Sequence, residues 1–504
     1  FSDSSFLCMK ADRLVTVIDC GSTNIRAVVV DSNGVFTAQS SVSNRPSPQL
    51  GRTGWLIWDM DELWSRIRVV LRSVLSRVGR VEAVIVTTWG ADGAPVRRNG
   101  ELTYPPICWQ CSRTIPIAEQ LPSIIDPWEI YRVTGYQIIS FNTLLKLIWL
   151  RENEPKALNE AYTWLMMPGL ITHRLTDVFH IEPTSASTMM AMDLAKRDWS
   201  PEMLKLASLD VGFFPDWSEP GDVVGYVTAK ASEETGLTEG TPVVAGGHDT
   251  QFAILGAGVK YGEAVLSSGT WEILAVRSGV FNPSKEGFEW GVITEADVEP
   301  GLWNPQLLMI ASAVLEWVRE RFYPELSEGD YDPLVRDASD IPPGSGGVLF
   351  IPSFVKDSGP TRRFKTEGTM LSLTLGTSRA HIYRAALEGL SYQLKLAVNA
   401  LISSTDFQID AIRVVGGGSK NKLWNQLRAD VTGMPISVNT IREATVFGAA
   451  LTAFKGIGVY SSFEEALSTV RVSETYTPSQ NRETYINLYE QYIKALNALK
   501  HYYK

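Results

Sequence analysis

Asp19, Ser22, Thr23, Asn24 and Arg26 fall together around Gly21 in one short stretch, DCGSTNIR (19–26). Apolar runs flank it, LVTVI (14–18) before and AVVV (27–30) after, so it is expected to be the turn of a strand–turn–strand hairpin. Gly21 frees the backbone, short hydroxyls and an amide offer hydrogen bonds, Arg26 adds a positive rim and Asp19 a carboxylate. Amides and hydroxyls suit phosphate oxygens, and a carboxylate suits the shell of a hard cation such as Mg²⁺. An ordinary polar hairpin has the same local pattern. A second hairpin of the same shape, AVLSSGTWEILAV (264–276), turns on Gly269 and Thr270 about half a chain later. Two such turns, each opening one half, point to duplicated domains that face each other.

Three further groups carry chemistry. Asp249 follows the apolar run TPVVAGG (241–247) and His248, so a strand would deliver both to its tip. A carboxylate there can accept a hydroxyl proton, and it can equally cap the helix that follows. His248 is open between a core or supporting role and a ligand contact. Gly416, Gly417 and Gly418 follow the strand AIRVV (411–415), and Ser419 is expected to cap the next helix. Such a turn lets backbone approach a ligand closely, or simply turns a corner. It matches neither G-x-G-x-x-G nor Gly-Lys-Ser/Thr, which disfavours a dinucleotide or P-loop site. Finally TTWGADGAPV (87–96) follows a buried strand with Trp89, Gly90 and Asp92 at its tip. An aromatic face beside a carboxylate suits a sugar. Arg113 is placed to pair with a hydroxyl or with Asp92, although Trp89 as core and Arg113 as a surface charge are the plainer alternatives.

The elements that must position these groups alternate. A helix is expected over 58–78, where Leu63, Ile67, Val70, Leu71, Val74 and Leu75 share a face. VEAVIVTTW (81–89) is a buried strand, and 142–155 a helix stopped at Pro155. The switch between halves falls near 254–262. A long helix over 381–402 buries Tyr383, Leu387, Leu390, Leu394, Val398 and Leu401, and the last 29 residues form a terminal helix.

Taken together, the paired hairpins resemble the phosphate loops of the actin-like, ribonuclease-H-fold ATPases. Within that superfamily the chain resembles the FGGY carbohydrate kinases. The supporting stretches are AGGHDTQFAILGAG (245–258), LGTSRAHIYRAALEGLSYQ (375–393), VVGGGSKNKLWNQLRAD (414–430) and EATVFGAA (443–450), in order over about 14–475. The resemblance implies an α/β fold of two ribonuclease-H-like domains, of the actin/hexokinase type, with a catalytic cleft between them. Their expected bounds are 12–255 and 256–475, with a helical tail at 476–504. It implies Asp249 as base, ATP and Mg²⁺ as cofactors, Asp19 as metal ligand, and Gly21, Ser22, Thr23, Asn24, Arg26, Gly269 and Thr270 at the phosphates. Gly416, Gly417, Gly418 and Asn421 would hold adenosine. Trp89, Gly90, Asp92, Arg113, His248 and Asp249 would face the sugar. Ser22 and Asn24 replace the family's commoner Thr and Ser, and Pro95 is not expected in its loop.

Asp92–Gly93–Ala94, NTLLKLIWL, HDTQFA, SSGTWEI and CWQCSRT (108–114) resemble the L-fuculose-phosphorylating branch, whereas Trp89 resembles the L-rhamnulose branch. The implied reaction is phosphorylation of the 1-hydroxyl of a 6-deoxyketose, L-fuculose first. L-Rhamnulose or another ketose or polyol stays open, and so does a non-catalytic actin-like ATPase or sugar sensor.

Composition excludes more than it assigns. The 504 residues exceed one core and by length alone predict about three domains, against the two that the duplication suggests. A net charge of −10 disfavours general nucleic-acid binding and leaves ATP to local groups. No run of 18 apolar residues suggests a membrane span. FSDSSFLC (1–8), ahead of Met9, lacks the pattern of a signal peptide. Four cysteines make no disulfide framework, which points to the cytoplasm. Cys108 and Cys111 form a lone C-x-x-C without zinc partners and are expected to be ordinary thiols. A homodimer stays open.

Overall fold

The computed structural model describes residues 13–355, 358–405 and 407–503. The 1–8 segment, Met9, residue 12 at the expected domain start and Lys504 lie outside them. The β-branched run Leu14–Cys20 forms β1 and returns antiparallel as β2 (Asn24–Asp31) and β3 (Phe36–Ser43). β4 (Ala83–Thr88) and β6 (Pro242–His248) add in parallel on the other side of β1, and β5 (Val223–Tyr226) closes the edge antiparallel. The order is β5-β6-β4-β1-β2-β3. Valine and isoleucine bury both faces of β1, β2 and β4, as a sheet covered on both sides requires, while the edge strands β3 and β5 are partly exposed.

The second half repeats this plan. β7 (Glu263–Ser268), β8 (Trp271–Ala275) and β10 (Trp303–Ile310) form the antiparallel set. β11 (Ala411–Val415) and β12 (Ile436–Asn439) add in parallel, and β13 (Val472–Tyr476) closes antiparallel. One extra strand, β9 (Ile293–Ala296), extends the far edge beyond β10. The resulting order, β9-β10-β8-β7-β11-β12-β13, matches the first sheet strand for strand apart from β9.

Helix α1 (Met60–Val78) covers the first sheet. Asp59 caps it by accepting from the amides of Asp61 and Glu62, and its expected face is buried. α2 (Thr143–Asn153) and α3 (Met167–Thr176) belong to the insertion between β4 and β5. α4 (Asp249–Ala257) leaves β6 and crosses α5 (Ala444–Gly456) between the halves. The crossing is close because of two glycines. A Cβ at Gly256 would lie 2.0 Å from the Ala444 carbonyl, and one at Gly448 would lie 2.1 Å from the Phe252 carbonyl. Gly448 belongs to the EATVFGAA stretch. α5 packs through Val446, Ala449 and Ala453 with Val15, Val17 and Val28 of the first sheet. α4 packs through Ala253, Ile254 and Ala257 with Val265, Ala275 and Val415 of the second. Each half thus lends a helix to the other's sheet.

The 476–504 stretch, expected as a tail, holds a helix over Arg482–Leu499. Its Tyr485, Tyr492 and Leu496 are buried in one cluster with Tyr383, Leu387 and Tyr392 of the helix Arg379–Thr405. Among the described residues no helix is long and apolar enough to cross a membrane.

Candidate active site

The register of the first hairpin sets its electrostatics. Asp19 pairs directly across from Arg26, and beside Thr87 on β4. Arg26 donates to Asp19 Oδ2 at 3.0 Å from Nε and 2.5 Å from Nη2, while Thr87 Oγ1 donates to Oδ1 at 3.3 Å. Arg26 also pairs with Glu443, just ahead of α5, so one guanidinium ties the hairpin to the second half. Gly21 closes the turn through its amide to Asn24 O at 2.8 Å, and Thr23 and Asn24 are exposed at the tip. A Cβ at Gly21 would lie 2.9 Å from that same oxygen.

In the second hairpin Gly269 donates to Trp271 O at 2.9 Å. Thr270 is exposed, and its carbonyl accepts from the amides of Ala311 and Ala313 at 3.2 and 3.3 Å. Ser268, at the end of β7, lies against the triple glycine. Cβ atoms at Gly416 and Gly418 would come within 2.7 Å of its carbonyl and 2.0 Å of its hydroxyl. A Cβ at Gly417 would meet nothing within 4 Å, so backbone there is open to close approach. The cap of the next helix (Lys422–Thr432) is Asn421, whose Oδ1 accepts from Trp424 N at 3.0 Å. The expected cap, Ser419, instead donates to Gly416 O at 2.6 Å and tightens the turn before the helix.

Asp249 is the first residue of α4, and His248 occupies the cap position without a side-chain cap bond. The Asp249 carboxylate accepts from the Thr250 hydroxyl at 3.4 Å. Its side chain is 29% exposed. Burial pushes its pKa up to about 6, with His248 opposing the shift and Asp19 adding to it. His248 Nε2 lies 3.5 Å from Asp249 Oδ1, and Nδ1 lies 2.8 Å from Glu295 Oε2 on β9. Gly90 makes room for this ring, since a Cβ there would lie 3.0 Å from Nε2.

The expected sugar loop is held from within. Asp92 is fully buried. Its Oδ2 accepts from Trp89 Nε1 at 2.8 Å, Trp58 Nε1 at 2.6 Å and the Trp109 amide at 3.1 Å. Oδ1 is ion-paired with Lys146 on α2, which also donates to Ala91 O at 2.8 Å. Trp89 is buried against Trp58, ring centroids 4.3 Å apart. Arg113 does not pair with Asp92. It donates to Gln49 Oε1 at 2.7 Å, Tyr104 OH at 3.0 Å and Cys111 Sγ at 3.0 Å, over the Trp55 ring. Both residues thus brace the loop, because folding has used their polar atoms internally. Pro95 sits in the ribbon Gly93–Val96 opposite Trp164. Cys108 and Cys111 are buried free thiols, and among the described residues no cluster of three or more His, Cys, Asp or Glu forms a metal cage.

Sequence reasoning missed Lys146, Glu182 and Glu295. Lys146 had a signal, a lone charge in the apolar run NTLLKLIWL. Glu182, fully buried, accepts from the Thr184 hydroxyl and amide and the Ser185 amide, and that hydroxyl in turn receives the His248 amide at 2.9 Å.

Comparison with known proteins agrees with this architecture. Residues 14–256 match the N-terminal domain of the FGGY family of carbohydrate kinases, and 264–457 match its C-terminal domain. The chain is 40% identical over 470 residues to the L-fuculokinase of Salmonella typhi, covering 93% of this chain and 97% of that protein. It is 38% identical over 475 residues to the L-fuculokinase of Escherichia coli K12, covering 94% and 98%. The crystal structure of xylulose kinase from Rhodospirillum rubrum superposes with a TM-score of 0.88 at 24% identity, over 97% of this chain and all of that one, which speaks for the fold. With both halves matched in order and relatives at up to 40% identity over nearly the whole chain, the chain belongs to the FGGY family of carbohydrate kinases.

Proposed function

We propose that this carbohydrate kinase transfers the γ-phosphoryl group of ATP to the 1-hydroxyl of L-fuculose. The observation that carries the reading is Asp249, a partly open carboxylate at a strand tip, with its pKa pushed up to about 6. A base with that pKa is ionised at neutral pH and can take the hydroxyl proton as the sugar oxygen attacks phosphorus and ADP departs. Thr23, Asn24 and Arg26 with Gly21 and Ser22 would receive phosphate oxygens from one side, and Gly269 and Thr270 from the other. The open backbone at Gly417, flanked by Gly416, Gly418 and Asn421, would lie along the adenosine.

Mg²⁺, when bound with the triphosphate, would neutralise charge on the oxygens that bridge the transferred group. Asp19 fits it as a hard oxygen donor, and one carboxylate suffices where the triphosphate supplies other ligands. No metal cage among the described residues argues for any other arrangement.

The sugar choice is supported by the similarity to L-fuculokinases over nearly the whole chain. L-Fuculose and L-rhamnulose differ in the arrangement at C4, so a polar contact must separate them. Of the expected contacts, Asp92 and Arg113 are engaged internally, whereas His248 turns Nε2 toward Asp249, packed against Gly90. We therefore assign Asp92, Trp89 and Arg113 to shaping the pocket and His248 to the sugar. ADP release measured over a panel of ketoses tests the reading. The highest kcat/KM is expected for L-fuculose, and a higher value for L-rhamnulose would overturn the sugar assignment while leaving the kinase.

A further inference from the structure

β9 is the strand of the second sheet that has no counterpart in the first. It is stapled to the insertion of the first half on both sides of Glu295, by Thr294 N to Gly135 O at 2.8 Å and by Ala296 N to Ser187 Oγ at 2.9 Å. Glu295 is 1% exposed and receives polar groups from three elements of the other half. Tyr136 OH donates to Oε1 at 2.9 Å, Gln251 Nε2 donates to Oε2 at 2.5 Å, and His248 Nδ1 lies 2.8 Å from Oε2. Gln251 is itself held, because its Oε1 accepts from Asn304 on β10. A buried carboxylate is costly unless its lone pairs are filled, and here they are filled by groups that also fix the ring of His248. With Nδ1 spent on Glu295, Nε2 is left facing Asp249 and the space over Gly90.

We propose that Glu295 is a positioning residue for the phosphoryl-acceptor site, holding His248 doubly protonated with its Nε2–H directed at Asp249 and the incoming hydroxyl. This rests on the reading of Asp249 as the base. The charged groups that face His248 are Glu295, Asp249 and Glu182, all acidic. Burial alone would push the imidazolium pKa down, yet these carboxylates outweigh it and raise it to about 9. Loss of the Glu295 charge would therefore let His248 lose its proton at lower pH.

The experiment is a nitrogen-15 NMR titration of the full chain labelled at its five histidines, with His248 identified by the signal missing in His248→Gln. A wild-type midpoint near 9 is expected. Glu295→Gln is expected to lower it by about two pH units, and Glu295→Asp, which keeps the charge, by less. In turnover, measured with whichever ketose reacts fastest, Glu295→Gln is expected to shift the alkaline limb down, while KM for ATP stays within about twofold. A wild-type midpoint at or below the ordinary value of about 6.5 overturns the proposal even if the variants do not fold. So does a fall in kcat that is equal at every pH. The titration needs no sugar, so a chain that phosphorylates no ketose refutes the proposed function while the midpoint still decides the role of Glu295.

Discussion

Asp19 in the first hairpin stands across from Arg26, which is 31% exposed and reaches Glu443 in the other half. In the second hairpin the charge nearest the turn is Glu272, paired with Ser268 in register and sealed with Arg428 at 1% and 0% exposure. Ser268 Oγ donates to Glu272 at 2.7 Å and accepts from Arg428 at 2.8 Å, and Arg428 lies 3.7 Å over the Trp424 ring. Arg428 and Trp424 lie on the helix that follows the triple glycine. The same strand–turn–strand frame therefore serves two ends. The first keeps Arg26 partly exposed beside the turn. The second hides its charge as a brace between hairpin and glycine turn, leaving Thr270 exposed.

The largest effect is expected between the two hairpins. Asp249→Asn should lower kcat by about 10²–10⁴, the worth of a positioned base, with little change in KM for ATP. Near-normal turnover would remove Asp249 from the mechanism. In the wild type, activity should rise with pH through about 6 as Asp249 ionises. The sign for stability is opposite. A carboxyl whose folded pKa is raised favours folding below its unfolded value, and that contribution is lost as pH climbs toward about 6. The asparagine variant should accordingly melt no lower than wild type at pH 7.

Next in size is the buried brace. Arg428→Met leaves buried Glu272 without its counter-charge, with only the Ser268 hydroxyl bonded to it, and should cost about 3–5 kcal/mol in a denaturant titration. A loss under 1 kcal/mol would show that the second hairpin does not rely on its hidden charge. Arg26→Ala sharpens the contrast, since Arg26 is partly open to solvent and Asp19 keeps its Thr87 bond, so the loss of stability should be smaller than for Arg428. Its effect should appear instead in kcat/KM for ATP, about tenfold or more, as for a lost bond to a charged group. Equal thermal damage from both arginine variants would erase the distinction. The smallest effect is expected for Thr270→Val, a severalfold rise in KM for ATP with an unchanged melting temperature. No change at all would mean that the exposed tip of the second hairpin touches no phosphate.

Local chemistry made much of this legible. The hairpins, the glycine turn and the strand that ends at Asp249 could be recognised because turn residues and apolar periodicity act over a few positions. The helix at 58–78 was found nearly to its boundary because Asp59 caps it and its buried face has one period. Ser419 was mistaken for the cap that Asn421 supplies, since a short 3₁₀ turn shifts the helix start. Asp92 and Arg113 were expected at the sugar because their types suit it. Their partners Lys146, Trp58 and Gln49 lie tens of residues away and leave no mark beside them in the chain. Glu295 was invisible for the same reason, 47 residues from His248 on a strand that the duplication did not predict.

Sequence by itself determined that there are two hairpin-led halves and that a carboxylate follows the last parallel strand of the first. Tertiary structure decided which polar groups remain available to a ligand. It consumed Asp92 and Arg113, left the tips at Thr23 and Thr270 exposed, and brought Glu295 of one half to His248 of the other. The physical reason is range. Backbone turns and periodic burial depend on neighbours within a few residues, whereas the burial and satisfaction of a polar side chain depend on every element that packs around it.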